Sequence, residues 1–107
     1  MKTTASNSAV APFVRLSDKE LKAIKAAIAL VDSNAKIILF GSRVDPDKKG
    51  GDIDLLIISN KINYALKRKI RVELFKKLGD RKIDIIVVDD PFKDSFTKAA
   101  FVNGVEL

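Results

Sequence analysis

The sequence predicts an α/β chain of order αβ-αβ-αβ-α, and three features carry that prediction. Short β-branched apolar runs recur along the chain, and segments with apolar residues every three or four positions lie between them. Residues suited to caps and turns sit at the junctions. With 107 residues, the chain fits one domain.

Residues 1–14 are rich in Ser, Thr and Ala, with Pro12 near the end, and read as a loosely ordered tail ahead of a domain spanning 15–107. Order begins at Ser17-Asp18-Lys19-Glu20, a capping box in which the Ser17 hydroxyl and the Glu20 carboxylate satisfy each other's backbone donors. The helix that follows carries Leu21, Ile24, Ile28 and Val31 on one stripe, leaves Lys19, Lys22 and Lys25 outside it, and ends at Asp32-Ser33-Asn34. Lys36-Ile37-Ile38-Leu39-Phe40, closed by Gly41, is a buried strand. From Arg43 to Gly51 the chain is polar, with Pro46 and Gly50-Gly51, and forms a loop or a short turn of helix.

Asp52 to Ser59 is the second strand, and its two alternating sets of apolar residues predict cover on both faces beyond the acidic start. Asn63 to Leu78 is a helix with Leu66, Ile70, Leu74 and Leu78 on its stripe, Phe75 widening it, and Gly79 just past its end. Tyr64 is expected to pack at its start. Lys67, Arg68, Lys69, Arg71, Lys76 and Lys77 form a solvated basic arc. The third strand spans Lys82–Val88. Asp90-Pro91 then opens a helix through Phe101, with Asp90 as N-cap, and Asn103-Gly104 turns into a short tail.

Composition narrows the chemistry. Hydrophobic residues at 47% and charged residues at 32% allow a modest core under a highly charged surface. The chain contains neither cysteine nor histidine, which excludes disulfides, thiolate metal sites, Ser-His-Asp triads and imidazole acid–base catalysis. Catalysis would rest on carboxylates, amines, hydroxyls and hard oxygen-bound metals. The net charge of +6 suits anionic partners, and equally suits a basic surface that only solvates the fold. No apolar run approaches the ~20 residues that span a bilayer, and Met1–Ala11 lacks the apolar core of a secretory signal. The expected setting is therefore soluble and cytoplasmic, with no membrane partner.

Three acids stand out. Asp52 and Asp54 are two apart, so on a strand they project from one face. Side by side in an apolar strand they repel, and a bound divalent cation reverses that sign. Asp84 holds the matching early position of the next strand, so all three converge if the strands are neighbours. Gly41 permits a sharp turn and a close approach to phosphate, Ser42 offers a hydroxyl, and Arg43 offers a charged fork. Lys48 and Lys49 in the same loop could screen a polyphosphate. Each piece alone is common in turns and strand ends. Together, in this order, they point to a triphosphate held with metal ions.

Leu39-Phe40-Gly41-Ser42-Arg43, Asp52-Ile53-Asp54-Leu55 and Lys82-Ile83-Asp84-Ile85-Ile86 resemble the signature of the DNA polymerase β superfamily, in its minimal nucleotidyltransferase (MNT) form. Many relatives follow Gly-Ser-Arg with a second basic residue and a glycine, where this chain has Val44-Asp45-Pro46. The resemblance implies an α+β nucleotidyltransferase fold, a small mixed sheet of about three to four strands packed with about four helices. It implies that Asp52 and Asp54 ligate two magnesium ions (Mg2+), that Asp84 completes one metal shell and helps deprotonate an acceptor hydroxyl, and that Gly41, Ser42 and Arg43 hold ATP or another nucleoside triphosphate. It further implies an antitoxin of the HEPN–MNT kind, working with a helical HEPN-type protein and transferring AMP to it. Two other readings remain open: a non-catalytic binding antitoxin or assembly subunit, and a basic nucleic-acid-binding module.

Overall fold

In the computed structural model, which describes residues 14–45 and 51–107, the chain runs α1 (Asp18–Ala29), β1 (Lys36–Phe40), a 3-10 turn (Gly41–Val44), β2 (Ile53–Ile58), α2 (Tyr64–Leu78), β3 (Ile83–Val88), α3 (Ser95–Asn103) and β4 (Val105–Glu106). The strands form one mixed sheet in the order β3-β2-β1-β4. β1 lies antiparallel to both β2 and β4, whereas β2 and β3 are parallel, with α2 as the crossover between them. This is the mixed sheet with helices that the resemblance implies, with three α-helices and a 3-10 turn in place of a fourth helix.

Alternation along the strands divides the core in two. Ile37 and Leu39 of β1, Ile53, Leu55 and Ile57 of β2, and Ile83 and Ile85 of β3 pack with Ala23, Ile24, Ala27 and Ile28 of α1 and Ile70, Leu74 and Leu78 of α2. The opposite face carries Ile38, Phe40, Leu56, Ile58, Ile86 and Val88, and α3 covers it with Ala100 and Phe101. One nine-residue helix is too short to hide a four-stranded face, so Ile58, Ile86 and Val88 stay half-buried.

The α1 capping box forms as expected: Glu20 N donates to Ser17 Oγ at 3.1 Å, and Ser17 N donates to Glu20 Oε1 at 2.9 Å. At the other end the helix stops at Ala29, and Asp32 ties the following turn to the end of β2 by accepting from the Ser59 hydroxyl at 2.5 Å and from Asn34 N at 3.0 Å. Those two donors hold the Asp32 carboxyl below its usual range, the Ser59 bond having the larger effect.

Several expectations are corrected. Phe75 is 62% exposed and Tyr64 is 78% exposed, because the α2 face against the sheet is the narrow stripe from Leu66 to Leu78. Arg71 stays exposed in the basic arc, while its Nη1 also donates to Ile83 O at 3.1 Å. α3 begins at Ser95 with Asp94 as its N-cap, whose carboxylate accepts from Thr97 N at 2.8 Å. Asp90 instead makes a turn, accepting from Phe92 N at 2.9 Å. Beyond Gly104 the chain forms β4, pairing Val105 with Leu39 and Glu106 with Ile38. Of the expected tail, Val14 lies among the described residues and packs against the core.

Gly104 sits where α3 meets β1. A Cβ there would lie 2.5 Å from Ile38 Cγ2, 2.6 Å from Ala100 O and 2.7 Å from Leu39 O. Two of these atoms are backbone and cannot swing aside. Gly104→Ala is expected to cost about 1–3 kcal/mol, read as a lower denaturant midpoint in urea unfolding.

Candidate active site

Strand pairing builds the site. Parallel register sets Asp54 opposite Asp84, and the antiparallel pairing of β1 with β2 sets Phe40 opposite Asp54. Asp54 and Asp84 therefore share the sheet face that α3 covers only in part. Next to Phe40, Gly41 has φ of +79°, and a Cβ on it would collide with the Asp54 carboxylate. Conformation and space both require glycine there. The turn backbone thus rests directly on the acid.

The electrostatics of this corner favour a cation. Burial raises the pKa of Asp54 above its ordinary 3.8, and the Asp84 charge, the Asp52 charge and a hydrogen bond with Asp84 push the same way, against a smaller pull from Lys82. Folded protein therefore holds a proton that the unfolded chain releases first. Asp54 costs stability as pH rises from 3.8 through its raised value, and that cost persists at neutral pH. Two oxygen donors in register on adjacent strands fit a hard divalent cation, which relieves the same repulsion.

Asp52 lies close enough to the pair for its charge to raise the pKa of Asp54, and it is itself ion-paired. It precedes β2, its side chain is 45% exposed, and its Oδ2 lies 3.5 Å from Lys82 Nζ. Among the described residues no group of three acids is assembled to hold a metal ion. The structure brings Asp54 and Asp84 together and leaves Asp52 ion-paired beside them.

The Gly-Ser turn departs further from expectation. Ser42 begins within the 3-10 turn, and its hydroxyl lies against Gly51, where φ of +90° and the absence of a Cβ allow the approach. Arg43 points inward. Its Nη1 donates to Arg15 O at 2.6 Å and sits 3.7 Å from Glu20 Oε1, its Nε donates to Gly51 O at 3.3 Å, and the side chain is only 17% exposed. The guanidinium expected to grip phosphate is engaged beneath the loop. Lys48 and Lys49 lie outside the described residues.

Arg15 is the residue that sequence reasoning missed. Its Nη2 donates to Ser42 O at 2.7 Å and its Nε to Asp45 O at 3.1 Å, while its backbone N donates to Arg43 O at 2.9 Å. A lone arginine ahead of a capping box carries no signal of this role, because its partners are carbonyls 27 and 30 residues away.

A carboxylate pair on parallel strands, abutted by a glycine turn from the antiparallel neighbour, makes this a domain of nucleotidyl-transfer type. The family model for the nucleotidyltransferase domain matches residues 20–106, so the chain belongs to that family, part of the DNA polymerase β superfamily. No curated protein matches the chain. The family generally uses nucleoside triphosphates and divalent metals, and membership supports a general nucleotidyl-transfer role. Among the described residues no helix is long and apolar enough to cross a membrane.

Because Asp54 is strained by its neighbours, Asp54→Asn is expected to raise the Tm of the metal-free protein at pH 7. The gain stays below about 8 °C, since a solvent-screened repulsion is worth under about 1 kcal/mol. Magnesium should raise the Tm of the native sequence and leave that of Asp54→Asn nearly unmoved, measured by thermal denaturation in chelator and in magnesium.

Proposed function

We propose that this protein is a magnesium-dependent nucleotidyltransferase that moves AMP from ATP to a hydroxyl on a helical HEPN-type partner protein, acting as its antitoxin. The observation that carries the transfer reading is the Asp54–Asp84 pair in register beneath Gly41. Bound magnesium would supply charge neutralisation for the triphosphate and the acceptor oxygen. Asp54 and Asp84 would hold it, and Asp52 would join them by leaving Lys82. The Gly41 and Ser42 turn presents a backbone free of side-chain bulk to phosphate oxygens. Asp84, exposed at the start of β3, would also help take the acceptor's proton.

A partner is supported by the half-covered sheet face. Phe96 stands exposed against Phe40, with ring centroids 6.0 Å apart, and Phe92 and Val102 are exposed on the same side of the molecule as α3. Apolar surface of this kind beside a catalytic corner suits a protein that delivers its own hydroxyl to the acids. A second reading, a binding antitoxin that transfers nothing, is favoured by the Asp52–Lys82 ion pair and the inward Arg43.

The test incubates the protein with the product of the neighbouring gene, magnesium and α-labelled ATP. Label is expected on the partner, and Asp54→Ala or Asp84→Ala should lower transfer by at least about a thousandfold. A stable complex that never acquires label overturns the transfer reading in favour of binding alone.

A further inference from the structure

We infer that Glu20 is a positioning residue of the active site, a buried carboxylate on α1 that fixes the Gly-Ser turn, the segment leading into Asp52 and the start of β3 relative to one another. Its functional consequence rests on the nucleotidyl-transfer reading, while its geometry does not.

Glu20 is 6% exposed. Its Oε1 accepts the Ser17 N–H and lies 3.7 Å from Arg43 Nη1, and its Oε2 pairs with Arg81 Nη1. Each arginine reaches a different part of the site. Arg43 belongs to the turn after Gly41 and carries the bond to Gly51 O, one residue before Asp52. Arg81 precedes Lys82, whose carbonyl accepts from Ile53 N at 3.2 Å where β2 and β3 start. Arg15 closes the set through Ser42 O and Asp45 O. The Gly-Ser turn and the start of β3, far apart in sequence, thus meet at one carboxylate, and Arg43 extends the link to Gly51 O.

The helix cap does not require this charge. At the third helical position a neutral Gln accepts the N-cap N–H as well as Glu does. A buried carboxylate is costly to desolvate, and here its added interactions are the two guanidinium contacts. A satisfied buried polar network rigidifies what it joins. Nucleotidyl transfer depends on such rigidity, because displacements of about 1 Å in a reacting geometry can lower rates on the order of a hundredfold.

Glu20→Gln separates the two roles, keeping the cap and removing the charge. In two-dimensional amide NMR of the nucleotide-free protein, Glu20→Gln should shift Ser42, Gly51 and Ile83 together, while Glu73→Gln, a control on α2, shifts none of them. Binding of α,β-methylene-ATP with magnesium should weaken about tenfold in Glu20→Gln at a temperature where circular dichroism shows it fully folded. Should Glu20→Gln fail to fold, Arg81→Ala, which removes a half-exposed side chain, should shift Gly51 and Ile83 and weaken nucleotide binding several-fold. Unmoved amides in a folded variant, or nucleotide affinity equal to that of the native sequence, overturn the positioning role. Absence of nucleotide binding by the native sequence would instead overturn the transferase reading, with the NMR comparison still deciding the role of Glu20.

Discussion

Parallel pairing of β2 with β3 is the constraint on which the rest of this protein depends. It brings Asp54 and Asp84 to the same height on the same sheet face, although most of β2, a connecting turn and all of α2 lie between them in sequence. Parallel strands need a long crossover, and α2 supplies it while filling the core with Ile70, Leu74 and Leu78. The antiparallel return of β1 then delivers Gly41 onto Asp54. Reversing the β2–β3 pairing would send Asp84 to the far end of the sheet, and reversing the β1–β2 pairing would send Gly41 there.

That arrangement works against folding stability. Burial, and after it the charges of Asp84 and Asp52, raise the Asp54 pKa, so the native state carries a desolvated, repelled carboxyl that a more stable fold would avoid. The cost is tolerated because the other face of the sheet is well packed, with Leu39, Leu55 and Ile57 fully buried against α1 and α2. The larger core lies on the face away from the acids, and the face bearing them keeps only a smaller buried cluster around Leu56. The two-faced strands make this separation possible, since alternate residues can serve the two tasks independently.

A polar cluster sits at the loop end of the sheet. Glu20, Arg43, Arg81 and Arg15 connect α1 and the segment before it to the loops that shape the site. Arginine suits this work because its planar fork engages a carboxylate and backbone carbonyls at once. Exposed aromatics around α3 give the site side an apolar rim, and α2 mixes its lysines with exposed Tyr64, Val72 and Phe75.

Sequence alone determined the elements that obey local rules. The Ser17–Glu20 capping box, the apolar runs of the three main strands, the α2 stripe and the glycine-bounded turn after β1 were all legible, because caps, periodicity and turn chemistry act over a few residues. Asp54 and Asp84 were legible as a pair on the same reasoning, once their strands were taken as neighbours. The absence of histidine and cysteine likewise restricted the chemistry to hard oxygen donors before any fold was known. Only the tertiary structure decided that Asp52 turns to Lys82, that Arg43 points inward to Glu20, that Arg15 holds the Gly-Ser turn, and that the last residues form β4 beside β1. Each of these depends on partners brought together from distant parts of the chain. A side chain's charge is written in the sequence, but the direction in which it is used depends on which oppositely charged or carbonyl group the fold places within reach.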